Sequence, residues 1–379
     1  MIKIAYLIDT IFSPVGGTEK QLLFLLNQLD RNKFTPILCT LTLSDWLDHN
    51  FAVCPLYVSN ITSFKKLDTW NKIWRLSRLL KRERVAIVQT FFSDANKVGI
   101  LAAKLAGVPL IISSRRNQGY WHTKSELTQT RFFNRWADLF IVNSFSTKEW
   151  LKAVEFVDEE QIKVVYNGID ISLFDADKRS QRSNYRQMLG IANNDIAIGM
   201  VANYRPVKGY EIFLKAAQVV ASKTPNVIFF AVGDYKGEEE YANKLHELAD
   251  QLGLKESFRF LGPRSDVADI LQAFDFGVLS SNSESFSNAL GEYLAAGLPV
   301  VTTDVGGASE AVSLGENGYI VPVGDYQSLG KCLLKIIART DRTAMRKVSR
   351  ERAEHLFSLA RMVEQHEEIY RAGIHNEAI

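Results

Sequence analysis

Thirteen short apolar runs rich in Ile, Val and Phe alternate with segments of helical period, and this constrains the fold of the 379-residue chain more than any other feature. Parallel strands cannot be joined by tight turns, so each needs a crossover, and an amphipathic helix is the usual one. The first series reads as strands at Ile2–Ile8, Pro36–Leu41, Cys54–Val58, Val85–Thr90, Leu110–Ser114, Leu139–Asn143 and Ile162–Tyr166. A polar stretch from Asp170 to Asp195 follows, and then a second series at Ile196–Ala202, Val227–Val232, Phe258–Leu261, Phe276–Ser280, Val300–Thr303 and Tyr319–Val321. The expected class is α/β: two doubly wound parallel-sheet domains facing a cleft. The boundaries read as 1–172, a linker over 173–194, 195–355, and a C-terminal helix over 356–379 crossing back to the first domain. The tail from Thr343 to Ala372 reads as one long helical pattern, with Leu356, Leu359, Met362, Val363 and Ile369 in a stripe.

Composition removes several classes. Hydrophobic residues at 46% and charged residues at 23% match soluble globular chains rather than disordered, collagenous or coiled-coil ones. A formal charge of +2 supplies no electrostatic footprint for nucleic acid. Cys39, Cys54 and Cys332 are odd in number and lack CxxC spacing, which supports neither a disulfide framework nor a zinc ribbon and suits a reducing compartment. The opening MIKIAYLIDTIF has no basic leader region and is interrupted by Asp9, so it reads as a strand. Gly99–Ile112 is broken by Lys104 and Pro109 and falls short of the roughly 18 apolar residues of a membrane span. Asp175, Ala176 and Asp177 form a bare DxD, but in a polar linker this reads as a turn or cap. No HExxH occurs among the six histidines, and His122, among aromatics, reads as structural, so no metal is expected.

Three loops carry chemistry. The first, Ser13 to Glu19, places Gly16 and Gly17 before a helix, where approachable amides favour an anion; a tight turn capped by Thr18 explains it equally. It is not GxGxxG, so the dinucleotide fingerprint is missing. The second, Asn203 to Gly209, sets Arg205 and Lys208 at the carboxyl end of a strand, suited to a diphosphate, with a solvated basic turn as the alternative. The third runs from Ser281 to Val301. A short helix is expected from Ser285 or Ser287 with a hydroxyl cap, and Gly297 ends it before Pro299. Glu284 in the loop and Glu292 in the helix flank amides that could take a phosphate, an arrangement suited to a sugar and a ribose on either side of a diphosphate.

Glu284 and Glu292, followed by EYLAAGLPVVTTDVGGASEAV, resemble the signature of the retaining, nucleotide-sugar-dependent glycosyltransferases of the family 4, group 1 type, which have the two-Rossmann GT-B fold. GGTE, VNSFST, VYNGID, RPVKG, VGD and FLGPRSDV occur in the family's order, so the resemblance spans nearly the whole chain. It implies that Lys208 with Arg205 neutralises the departing diphosphate, that Glu284 contacts the donor sugar and that Glu292 binds the ribose hydroxyls. Gly16 and Gly17, with Ser285, Phe286, Ser287, Asn288, Ala289 and Leu290, complete the phosphate cradle, and Gly233 and Arg264 join the donor side. The implied reaction moves a sugar from a UDP- or GDP-sugar to a glycan or lipid-linked acceptor of cell-surface polysaccharide or lipopolysaccharide, with retention and no cofactor or metal. The family's Arg five positions before the Lys is Asn203 here, with Arg205 standing three before. Its first-domain His is missing among Gln89–Phe91 and Ser113–Asn117, which leaves Arg116 and Asn117 as acceptor-side candidates.

The charge is uneven. Residues 1–190 hold 26 basic and 18 acidic side chains, a net of +8, and the remainder carries −6. Lys65 to Arg84 contains eight cations and two acids beside Trp70 and Trp74, a pattern that can lie on an anionic membrane surface; Arg115 to Trp136 is a second basic and aromatic cluster. The alternative is that each apolar stripe packs on its own sheet and only the charges meet water. A cytoplasmic location, peripheral on the inner face of the membrane, is the matching expectation. A catalytically silent sugar-nucleotide-binding subunit and a nucleotide-sugar 2-epimerase are the competing functions.

Overall fold

The computed structural model describes residues 1–63, 66, 68–119, 123–175 and 181–375. Two compact units result: Met1–Gly168 with Leu359–Ile379, and the continuous insert Ile169–Ser358. In the first, strands β1 (Ile2–Ile8), β2 (Phe34–Thr40), β3 (Leu56–Val58), β4 (Ile87–Phe91), β5 (Leu110–Arg115), β6 (Leu139–Val142) and β7 (Ile162–Val164) form one sheet in the order β3-β2-β1-β4-β5-β6-β7. In the second, β8 (Ile196–Val201), β9 (Val227–Val232), β10 (Phe258–Gly262), β11 (Phe276–Leu279), β12 (Val300–Thr303) and β13 (Gly318–Val321) run β10-β9-β8-β11-β12-β13. Every pairing is parallel. All thirteen expected strands are present, and both sheets are of the Rossmann-like kind.

Parallel sheets covered on both faces need apolar side chains on both, which is why the strands read as continuous runs. The pleat of β1 shows this directly: Ala5 and Leu7 enter one core with Val88, Ile111 and Phe140, while Ile4, Tyr6 and Ile8 enter another with Leu22, Leu26 and Phe34. In each sheet the strand order reverses at one point, between β1 and β4 and between β8 and β11, and ligands of such sheets bind beyond the carboxyl ends there.

The tail is two helices, not one. Arg342–Leu356 belongs to the second unit and Leu359–His375 to the first, with the break at Phe357 and Ser358. Phe357 is buried against Phe286, ring centroids 4.9 Å apart, so packing of that ring ends the helix where periodicity alone would continue it. In the last helix Met362, Val363, Ile369 and Tyr370 join the core around Tyr6, and Tyr370 donates to Gln89. Part of the segment expected as linker is docked structure. The helix Arg182–Met188 is held by Arg182 and Arg186, both paired with Asp275 at 2.7 and 3.2 Å. Of the DxD, Ala176 and Asp177 lie outside the described residues, as does His122; Asp175 pairs with Arg350 at 2.6 Å, a reason for a carboxylate there.

Candidate functional site

In the second unit, the loops after β8, β11 and β12 converge beyond the strand ends. After β8, Arg205 leads into a single 3-10 turn, Pro206–Lys208. That turn is tied to the loop after β11: the Asn282 amide donates to the Val207 carbonyl at 2.7 Å, and Ser280 Oγ donates to the Gly209 carbonyl at 2.8 Å. Lys208 Nζ therefore reaches Glu284 Oε1 at 2.6 Å, and Ser281 Oγ donates to the same oxygen at 2.8 Å. Arg205, three residues before Lys208, is exposed.

Loop position is also fixed from the β12 side. The Gly307 amide donates to the Ser285 carbonyl at 2.8 Å, and Thr303 Oγ1 donates to the Ser281 carbonyl at 2.7 Å. The helix that follows is Asn288–Ala295, starting later than Ser285. Ser287 occupies its cap position, but its side chain makes no capping bond, which corrects the expected hydroxyl cap. Gly291 is the first residue in the helix whose amide finds a carbonyl at i−4, that of Ser287 at 3.4 Å, while the amides of Ala289 and Leu290 have no backbone acceptor among the described residues. Tyr293 pins the helix beneath the sheet: the Val201 amide donates to its hydroxyl at 2.6 Å, and the hydroxyl donates to the Val278 carbonyl at 3.2 Å. Burial pushes that phenol well above its ordinary range. One position back, Glu292 is half-buried. Glu284, the Ala289 and Leu290 amides and Glu292 lie within nine consecutive residues, yet Lys208 is brought in from 76 residues away.

Two other donor-side candidates have local partners. Gly233 follows β9 where a Cβ would lie 1.8 Å from the Ala202 carbonyl oxygen, so the close approach of the two strand ends requires glycine regardless of any ligand. Arg264 forks onto the Asp266 carboxylate at 2.8 and 2.6 Å. Three residues beyond β9, Tyr235 is 42% exposed, with its ring near Gly262.

Gly16 and Gly17 lie in the first unit and open the helix Gly17–Gln28 without a side-chain cap, so Thr18 does not fill that role. Glu19 folds its carboxylate back over the turn, within 2.5 Å of where a Gly16 Cβ would stand, and burial raises its pKa. The Glu19 carboxylate therefore lies beside the turn that Gly16 and Gly17 form. Arg116 and Asn117 follow β5 and line a cavity of about 240 Å³ with Asp9, Phe92, Asn96 and Lys97. Arg116 donates to Asn167, and burial draws its guanidinium down to about 10. Asp9 accepts from the Ala95 amide at 2.8 Å, yet burial, reinforced by Asp94, lifts it to about 6. Arg115 does not join a solvated basic face: it is buried, its Nε donating to both Glu155 oxygens at 3.1 Å and its Nη2 to Asn134 at 2.8 Å. No group of His, Cys, Asp and Glu suited to a metal occurs among the described residues.

A paired Lys and Glu, leading helix amides and a second Glu at the switch point of one of two Rossmann-like sheets describe a GT-B glycosyltransferase. The family description Glycosyl transferases group 1 matches residues 181–355, and Glycosyltransferase Family 4 matches residues 15–173; the chain belongs to this glycosyltransferase family. It is 26% identical over 341 residues to the Escherichia coli UDP-Gal:alpha-D-GlcNAc-diphosphoundecaprenol alpha-1,3-galactosyltransferase, covering 86% of each chain. It is 31% identical to the D-inositol 3-phosphate glycosyltransferase of Corynebacterium urealyticum over 62% of this chain, spanning only 57% of that relative's length. Among solved structures, Anabaena HepE in complex with UDP and glucose superposes with a TM-score of 0.83 at 26% identity, covering 98% of this chain and all of that one.

Proposed function

We propose that the chain transfers a hexose from UDP-hexose to a lipid-linked glycan acceptor with retention of anomeric configuration, at the inner face of the cytoplasmic membrane. The observation that carries this reading is the Lys208–Glu284 pair at 2.6 Å beside the open amides of Ala289 and Leu290. A leaving diphosphate needs cations and oriented donors, and Lys208, Arg205 and these amides are of that kind, so no metal is invoked. Glu284 contacts the donor sugar and Glu292 the ribose hydroxyls. As the bond from the anomeric carbon to the diphosphate oxygen breaks, the acceptor oxygen attacks from the same face and its proton passes to the departing phosphate. UDP is favoured because the Anabaena neighbour holds UDP with glucose and the E. coli relative is a UDP-Gal enzyme acting on a diphosphoundecaprenol acceptor. Arg116 and Asn117 are assigned to the acceptor.

Calorimetry and slow hydrolysis with a panel of UDP- and GDP-sugars test this reading. UDP and one UDP-hexose should bind, and Lys208→Ala and Glu292→Ala should each weaken UDP at least tenfold, with turnover insensitive to chelator. Unchanged UDP affinity in both variants overturns the site, and inversion in the product overturns the mechanism.

A further inference from the structure

The helix Asp68–Arg82 has two unlike faces. Ile73, Leu76 and Leu80 are buried in the core of the first unit, as packing of the apolar stripe on its own sheet requires. The two tryptophans are not part of that stripe. Trp70 and Trp74, one turn apart, remain 61% and 55% exposed, and the Arg78 guanidinium lies 4.8 Å over the Trp74 ring.

Cations concentrate on the same side. Arg75, Arg78, Lys81 and Arg82 line an open groove of about 620 Å³ together with Tyr57 and Trp74. Lys72 is neutralised by Asp68 at 2.8 Å, and Arg82 touches Glu83 at 3.3 Å. Arg75, Arg78 and Lys81 form no ion pair with any described residue. Three unpaired cations, Arg75, Arg78 and Lys81, gathered with Arg82 around an aromatic floor, call for negative charge from outside. Indoles prefer the boundary between headgroups and acyl chains, and clustered Lys and Arg prefer anionic headgroups, so one flat surface satisfies both.

We infer that this face docks on an anionic phospholipid bilayer, with Trp70 and Trp74 at the acyl boundary and lipid phosphates in the Arg75–Arg78–Lys81–Arg82 groove. It deepens the proposed function, resting on it only for the idea that a lipid-linked acceptor is met at this surface. The docking itself stands on the helix.

The test is sedimentation of the full chain with vesicles of phosphatidylcholine alone and of phosphatidylcholine mixed with phosphatidylglycerol, at low and high salt. Binding should be confined to the mixed vesicles and fade with salt. Each cation near the surface is worth roughly a fivefold change, so Arg75→Glu, Arg78→Glu, Lys81→Glu and Arg82→Glu combined should lower affinity more than about a hundredfold. The milder pair Arg78→Ala and Lys81→Ala should lower it about twentyfold or more. Brominated lipid should quench tryptophan emission in the parent and much less in Trp70→Leu/Trp74→Leu. Equal binding to both vesicle types, or undiminished binding by the fourfold variant, overturns the inference. UDP-induced thermal stabilisation, measured on every variant, certifies folding. Retained UDP binding with lost specificity for anionic lipid sinks the docking alone, whereas anionic-lipid binding without UDP binding sinks only the donor-site assignment.

Discussion

Lys208 is already paired, with Glu284 at 2.6 Å and both side chains partly shielded, so the diphosphate of the proposed donor would compete with a carboxylate for its cation. Under the proposed function, Glu284→Gln should therefore tighten UDP binding severalfold while cutting transfer by at least about a hundredfold, since the group proposed to contact only the sugar is lost. Calorimetry against turnover separates the two effects, and weaker UDP binding would count against the competition. The identities of Lys208, Glu284 and Glu292 were legible in the sequence because each sits in a short local pattern. Their pairing was not, because it depends on β8 and β11 being neighbours, 76 residues apart along the chain. The same limit hid the closure of Gly16 by Glu19 and the Arg115–Glu155 pair. Both are decided by which side chain folds over a turn or reaches across a layer, and spacing does not encode that.

Elements were more legible than contacts. Every strand was readable because a sheet buried on both faces leaves an uninterrupted apolar run. The tail misled because a helical stripe continues through Phe357 and Ser358, while the packing of one aromatic ring decides where the helix stops. In the last helix His366 is buried, and its Nδ1 lies 2.8 Å from the Met362 carbonyl. Burial, with Arg116 nearby, holds its pKa down at about 4. A depressed histidine stays neutral in the fold while the unfolded chain takes up a proton, so its contribution is full above about pH 6.5 and is lost as pH falls through about 4. The loss is on the order of 3 kcal/mol. Denaturant melts of the first unit should steepen in acid over this window, and His366→Phe should flatten that limb; an unchanged acid slope would assign it to carboxylates instead.

At the scale of the molecule, two doubly wound parallel sheets were readable although their strand order was not, and their contents diverge by charge, +8 against −6 over the two portions of sequence. The first unit is discontinuous, closed by a helix that arrives last. That helix supplies Met362, Val363, Ile369 and Tyr370 to the core around Tyr6, Phe34 and Leu26, and the Asp30 amide donates to Glu367 at 2.8 Å. A chain stopped at Ser358 should keep UDP-induced stabilisation of the second unit yet bind a hydrophobic dye strongly and aggregate. A monomeric, dye-silent product would show the helix to be dispensable.

The interruption also sets an order of events during synthesis. When Gly168 leaves the ribosome, all seven strands of the first sheet exist, but the apolar groove reserved for residues 359–375 is open. The insert Ile169–Ser358 must be translated before that groove can be filled, a wait of roughly 10–40 s at about 5–20 residues per second. Through that interval the nascent chain exposes the apolar side chains that Met362, Val363, Ile369 and Tyr370 will cover, so slower elongation across the insert should lower the soluble yield.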